Sequence, residues 1–203
     1  IYESPKDPDA ISVLADALVE TEFEIREVLR VLFNSNFFKE ASYRKVKSPV
    51  DVVASTLRLT REFDGPSPKW NPVAEAPSAM GQSLLDPPSV EGWHTGREWV
   101  NSGAFVNRVN FVSDRFNDPE LPGIRSIVDH IARSNGHTMT SEELVDLCLE
   151  QLGLLKLSDD VRQEIVAQVA ESGPVSFESH TEASGRICSV LALIAGTREY
   201  QFG

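Results

Sequence analysis

The spacing of the apolar residues constrains this chain more than any other feature. Ile25, Val28, Leu29 and Leu32 stand at i, i+3, i+4 and i+7, the stripe with which a helix faces a core. Comparable stripes recur at Ile11, Leu14, Leu18 and Val19, at Val52, Val53, Leu57 and Leu59, at Phe105, Val109, Val112 and Phe116, and at Leu144, Leu147, Cys148 and Leu152. Ile187 to Ala195 (ICSVLALIA) is apolar throughout and suits a buried helix. It falls well short of the ~18 residues that a membrane span needs. No strand-like alternation of useful length and no internal repeat is present. The pattern predicts an all-α fold, an irregular multi-helix bundle of about eight helices.

Punctuation residues place the boundaries. The first helix opens near Asp7-Pro8 and runs to about Glu20, and the second covers Glu22 to Phe33. Asn34-Ser35-Asn36 ends it, because short polar side chains compete for backbone bonds, and Phe37 and Phe38 anchor the turn. Ser48-Pro49-Val50-Asp51 is a strong start signal, with Ser48 as cap, Pro49 in the first turn and Asp51 three residues on. That helix continues to about Phe63, where Asp64-Gly65-Pro66 stops it. A short helix follows from Pro72 to about Met80, then a helix over 101–116 broken by Asn117-Asp118-Pro119, and another over Ile124 to Ser134. Thr140 with Glu143 forms a capping box, Ser158 caps a helix to about Glu171, and the last helix spans Thr181 to Thr197. These signals predict one helical unit over 1–203, with 117–122 as the place where a sub-division would fall. Because it opens on Ile1 and not on Met, the chain is expected to be a piece of a longer protein.

Nineteen basic against thirty-one acidic residues give a formal charge of −12. This opposes the charge of nucleic acid, which binding proteins answer with clustered Lys and Arg, and Arg44-Lys45-Val46-Lys47 is too short to reverse it. Cys148 and Cys188 both lie in apolar helical patterns and read as small buried hydrophobes, with a disulfide open only if their helices pack together.

One stretch departs from the helical pattern. Met80 to Arg108 (MGQSLLDPPSVEGWHTGREWVNSGAFVNR) holds two Trp, a Pro-Pro pair and four Gly among Glu, His, Arg and Asn. In order, the chain carries Lys47-Ser48-Pro49, Met80-Gly81-Gln82, Pro87-Pro88-Ser89-Val90-Glu91-Gly92-Trp93, Trp99-Val100-Asn101-Ser102, Arg108-Val109-Asn110-Phe111 and a closing Arg198-Glu199-Tyr200-Gln201. This order resembles the C-terminal part of the bacterial family catalogued as domain of unknown function 1800, over most of the chain from Phe38 onward. The resemblance implies a mostly helical bacterial protein, longer than this chain and often exported or periplasmic. It brings no settled reaction and no agreed catalytic residues.

Read as architecture, the segment is a clasp. Pro87-Pro88 makes a stiff link, Gly92 and Gly96 permit backbone closed to other residues, and Trp93 and Trp99 can each bury on the order of 200 Å². Asn101 or Ser102 caps the next helix. Arg108, placed beside the Phe105–Phe116 stripe, is expected to bond loop carbonyls or a carboxylate such as Glu91 or Glu98. Read as chemistry, Gln82, Trp93, Trp99, Asn101 and Arg108 are candidate ligand-binding residues for a glycan, which stacks on indole. Glu91, His94 and Glu98 are candidate acid/base groups, since glycoside hydrolysis uses two carboxyls about 5 to 9 Å apart. His130 and His137 flank a turn and could approach each other, but no carboxylate or Cys stands at a familiar ligand spacing, so no metal and no cofactor is expected. HExxH, CxxC, a P-loop, GxSxG and GxGxxG are all absent from this chain.

The leading expectation is a helical binding or assembly module without catalysis of its own. Its partners would be other parts of the same longer chain or another protein, not nucleic acid and not a membrane core. The alternative is a carbohydrate-active or other hydrolase with its pocket at the Trp93–Trp99 loop.

Overall fold

Capping chemistry sets the helix boundaries. The computed structural model describes residues 7–41, 44–134, 138–153 and 155–202. Asp7 accepts from Ala10 N at 3.0 Å and opens α1 (Pro8–Glu20). α2 (Ile25–Asn34) begins at Ile25 and not at Glu22, because Glu22 and Phe23 take positive φ values of 52° and 68° and turn the chain. Ser35 then caps a one-turn α3 (Asn36–Lys39), where Phe38 meets Phe33 edge-on at 5.1 Å.

Chain contacts divide the protein into two compact units, residues 1–46 with 202–203 and residues 47–201. In the first, α1 packs on α2 and α2 on α3, and Val46 forms an antiparallel bridge with Phe202. The stripe expected to face a core is only partly covered here: Val28 and Leu32 are half-buried, Ile25 is 59% and Leu29 42% exposed, and α2 buries no residue.

The second unit holds α4 (Pro49–Thr60), α5 (Trp70–Ala79), a 3-10 turn over Gly96–Val100, α6 (Ser102–Phe116), α7 (Pro122–Ser134), α8 (Ser141–Gln151), α9 (Asp159–Ala170), α10 (His180–Ala195) and α11 (Arg198–Gln201). The capping boxes at Ser48/Asp51 and Thr140/Glu143 both form. Ser158 sits at the N-cap of α9 but its side chain makes no capping bond. The turn at 117–122 lies inside this unit. Two short strands, β1 (Thr138–Met139) and β2 (Val175–Ser176), pair antiparallel with Thr138 opposite Ser176. Among the described residues they are the whole of the sheet.

α10 is the hub, as its apolar run predicts. It buries Ile187, Cys188, Val190, Leu191, Ile194 and Ala195 and packs against α6, α7, α8 and α9. α4 packs in turn against α5, α6 and α7. The α4–α7 approach is close: a Cβ at Gly123 would lie 1.9 Å from the Leu59 carbonyl oxygen. One face is turned from its expected position. α6 buries Ala104, Arg108, Phe111, Val112 and Phe116, while Phe105 and Val109 are only half-buried. Spacing alone admits either stripe, and the helix turns so that Phe111 and Arg108 face inward.

Candidate functional site

The Trp-rich segment is held by backbone and side-chain ties. Gln82 is buried and its Oε1 accepts from Val50 N at 3.1 Å, pinning the start of the segment to the first turn of α4. Gly81 supplies a φ of +97° just before it. Pro87-Pro88 leads into a tight turn in which Gly92 N donates to Ser89 O at 3.1 Å, with Gly92 at φ +98°. Trp93 is half-buried and its Nε1 donates to Ser83 O at 2.6 Å. Trp99 is 7% exposed. Asn101 caps α6 by accepting from Ala104 N at 3.0 Å, and Asn107 donates to Ala79 O at 2.8 Å.

The three acid/base candidates stand outside this framework. His94 Nδ1 contacts Glu98 Oε2, but both side chains are more than half exposed, at 64% and 61%. Glu91 is exposed and takes no part in that pair. His137 lies outside the described residues.

Arg108 does not meet the loop's carboxylates, which corrects the expectation for it. It is fully buried at the centre of the α6 face. Its Nε donates to Gln201 Oε1 at 3.1 Å, and its Nη2 donates to Lys47 O at 2.8 Å and Gln201 O at 3.3 Å. Lys47 Nζ donates to Tyr200 O at 2.6 Å and lies 4.5 Å from the Tyr200 ring centre. Three of the recognisable sequence segments, at Lys47, Arg108 and Tyr200-Gln201, therefore meet in one knot. Burial holds the Arg108 guanidinium down to about 10, with the Asp51 carboxylate pulling the other way. Lys47 is lowered by burial and then by Arg108, and burial pushes Tyr200 up to about 12.

Two further places carry chemistry that the sequence did not announce. Asp129, His180 and Ser184 lie in the order of a catalytic triad, with His180 Nε2 3.7 Å from Asp129 Oδ1 and Nδ1 3.3 Å from Ser184 Oγ. The Ser184 hydroxyl, however, is buried and donates to His180 O at 2.7 Å, the ordinary i−4 bond of a helical Ser, so its proton is not directed at the imidazole. The second is an apolar groove of about 490 Å³ between α4 and α5, lined by Val53, Leu57, Phe63, Trp70, Val73 and Pro77 among others. Arg58, Arg61 and Asp64 also line it, whereas Trp93, Trp99, Glu91, His94 and Glu98 do not. An apolar stripe such as Val53–Leu57 reads the same whether it meets a core or an open groove, so spacing could not reveal this.

Among the described residues, no group of three or more His, Cys, Asp or Glu could hold a metal ion. None of their helices is long and apolar enough to cross a membrane. No curated protein and no solved structure matches this chain. A family model described as "Protein of unknown function (DUF1800)" matches residues 1–202, essentially its full length. The knot at Lys47, Arg108 and Gln201 and the clasp around Trp93 are thus features of a member of the DUF1800 family, to which this chain belongs.

Proposed function

We propose that the chain is an assembly module whose N-terminal helical hairpin receives a protein partner. The observation that carries this reading is a pair of exposed apolar stripes. On α2, Ile25, Leu29 and Phe33 repeat every fourth residue at 59%, 42% and 54% exposure. On α1, Ile11 and Val19 are open with Ala15 between them, and Phe23 in the connecting turn is 70% exposed. Exposed apolar residues repeating along both helices of the hairpin are what a docking face presents. α1 and its cap carry Asp7, Asp9, Asp16 and Glu20 and no basic residue. The matching occupant is an amphipathic helix, from a distant part of the same protein or from a second protein, with an apolar face and Lys or Arg flanks.

The alternative, a hydrolytic pocket at the Trp93–Trp99 segment, has less support. Trp99 is buried and offers no free stacking face, Trp93 is half-buried with its Nε1 tied to Ser83, and Glu91, His94 and Glu98 do not line the α4–α5 groove. Maleimide labelling of Leu29→Cys, in the protein purified from its native source and in the isolated chain, tests the assembly reading. The native thiols are buried and do not interfere. Protection in the native protein alone is expected, with Val106→Cys, on exposed α6 surface, reacting alike in both. Equal, fast labelling of Leu29→Cys in both would overturn the proposal. Protection that grows with the concentration of the isolated chain would replace the partner with a second copy.

A further inference from the structure

The α4–α5 groove, within the second unit, has a polarity of its own. α4 and α5 run antiparallel, since Gln82, just beyond the C-terminus of α5, bonds Val50 N at the start of α4. One end of the groove is therefore formed by Val50, Pro77 and Leu84 and the other by Arg58, Arg61, Phe63, Asp64 and Trp70. The charges gather at that second end, and the rest of the wall is aliphatic. Leu84 and Trp70, 50% and 44% exposed, leave apolar surface open at both ends. The volume of about 490 Å³ falls within the usual range for small-molecule sites.

The cations at the mouth are uncommitted. Among the described residues, neither the Arg58 nor the Arg61 guanidinium has an ion-pair or hydrogen-bond partner, although the chain carries a formal charge of −12. Acidic partners are plentiful and these two guanidinium groups are left open. Arg61 also holds a left-handed backbone at φ 49°, as the C-cap of α4, where a glycine would be at ease. A non-glycine residue kept in that region costs about 1 kcal/mol, and such strain concentrates at binding sites. Asp64 and the partial negative charge at the end of α4 stabilise the two guanidinium groups and offset part of their field.

We infer that the groove binds a head-and-tail anion, an acyl chain lying along α4 and α5 with its carboxylate between Arg58 and Arg61. The wall from Val50 to Arg61 spans about 16 Å at 1.5 Å rise per residue, room for a chain of about a dozen carbons. A planar guanidinium fork matches a carboxylate, while a chain with a neutral end would leave both cations unanswered.

Displacement of the neutral fluorescent probe N-phenyl-1-naphthylamine by dodecanoate and by dodecan-1-ol tests the inference. Dodecanoate should displace the probe at about tenfold lower concentration, the worth of one charge-assisted hydrogen bond. The double variant Arg58→Gln/Arg61→Gln should bring the acid to the level of the alcohol and leave the alcohol unchanged. Both positions are exposed, so the fold is not at stake. Ala54→Phe, which fills the groove from within, should weaken acid and alcohol together. Equal potency of acid and alcohol on the unaltered chain overturns the inference, as does a preference that survives the double variant. Failure of the probe to bind, or binding that Ala54→Phe leaves intact, overturns the site itself. Neither result bears on the hairpin proposal.

Discussion

Replacing Gly123 by Ala places a methyl group where α7 crosses α4. The added Cβ would lie 1.9 Å from the Leu59 carbonyl oxygen, 2.6 Å from the Thr60 carbonyl carbon and 2.8 Å from Thr60 Cα. All three are backbone atoms, so no side-chain rotation relieves the overlap, and α7 must move off α4 by more than an ångström. Overpacking of this kind costs about 1–3 kcal/mol, and rigid backbone puts this case at the upper end. Exchanging Gly for Ala returns up to about 1 kcal/mol of helix propensity. The net loss is about 2 kcal/mol, a fall in Tm of about 4–8 °C for a chain of this length. Gly185, exposed on α10 with nothing within 4 Å of its Cβ position, is the internal control. There the same substitution meets no atom and should stabilise by about 0.5–1 kcal/mol. Thermal and urea unfolding of both variants, read by far-UV circular dichroism, gives the comparison. A Gly123→Ala protein as stable as the parent would refute the reasoning, because it would mean that the α4–α7 approach is looser than described.

Two more outcomes are expected. Arg108→Lys should lose about 1–3 kcal/mol, because a single ammonium cannot serve both Lys47 O and Gln201 Oε1 and one buried acceptor is left without a donor. Unchanged urea unfolding would refute it. The thiols should make stability fall in alkali. Burial, with Asp118 second, pushes Cys188 up to about 11 from 9.0, and burial followed by Cys188 raises Cys148. The neutral thiol is thus favoured in the folded state, so its contribution is full below pH 9 and lost as pH rises towards about 11. Arg108 and Lys47, both lowered, act in the opposite sense above about pH 10, so the comparison must be with Cys188→Ala, whose stability should fall less over that window. An identical pH slope in parent and variant would count against the burial argument.

Local rules written in the sequence determined the helices. Ser48 with Asp51 and Thr140 with Glu143 close capping boxes at the expected positions, and the Ile187–Ala195 run becomes the hub of α10. Each depends on neighbours within a turn or on hydrophobicity alone, and neither needs a distant partner. The family resemblance was legible for the same reason, since its motifs are contiguous strings. What those motifs do was not legible. Arg108 reads from spacing as a helix-surface residue reaching a nearby loop, yet it bonds carbonyls 61 and 93 positions away. The stripe on α2 reads as core, yet Ile25 and Leu29 in it are exposed, because periodicity shows that a helix has an apolar face and not what covers it. Likewise, Leu57 carries the pattern of a packed residue, yet it is only half-buried and lines a groove. Burial is decided by which surfaces meet across the chain, and only the tertiary structure holds that information.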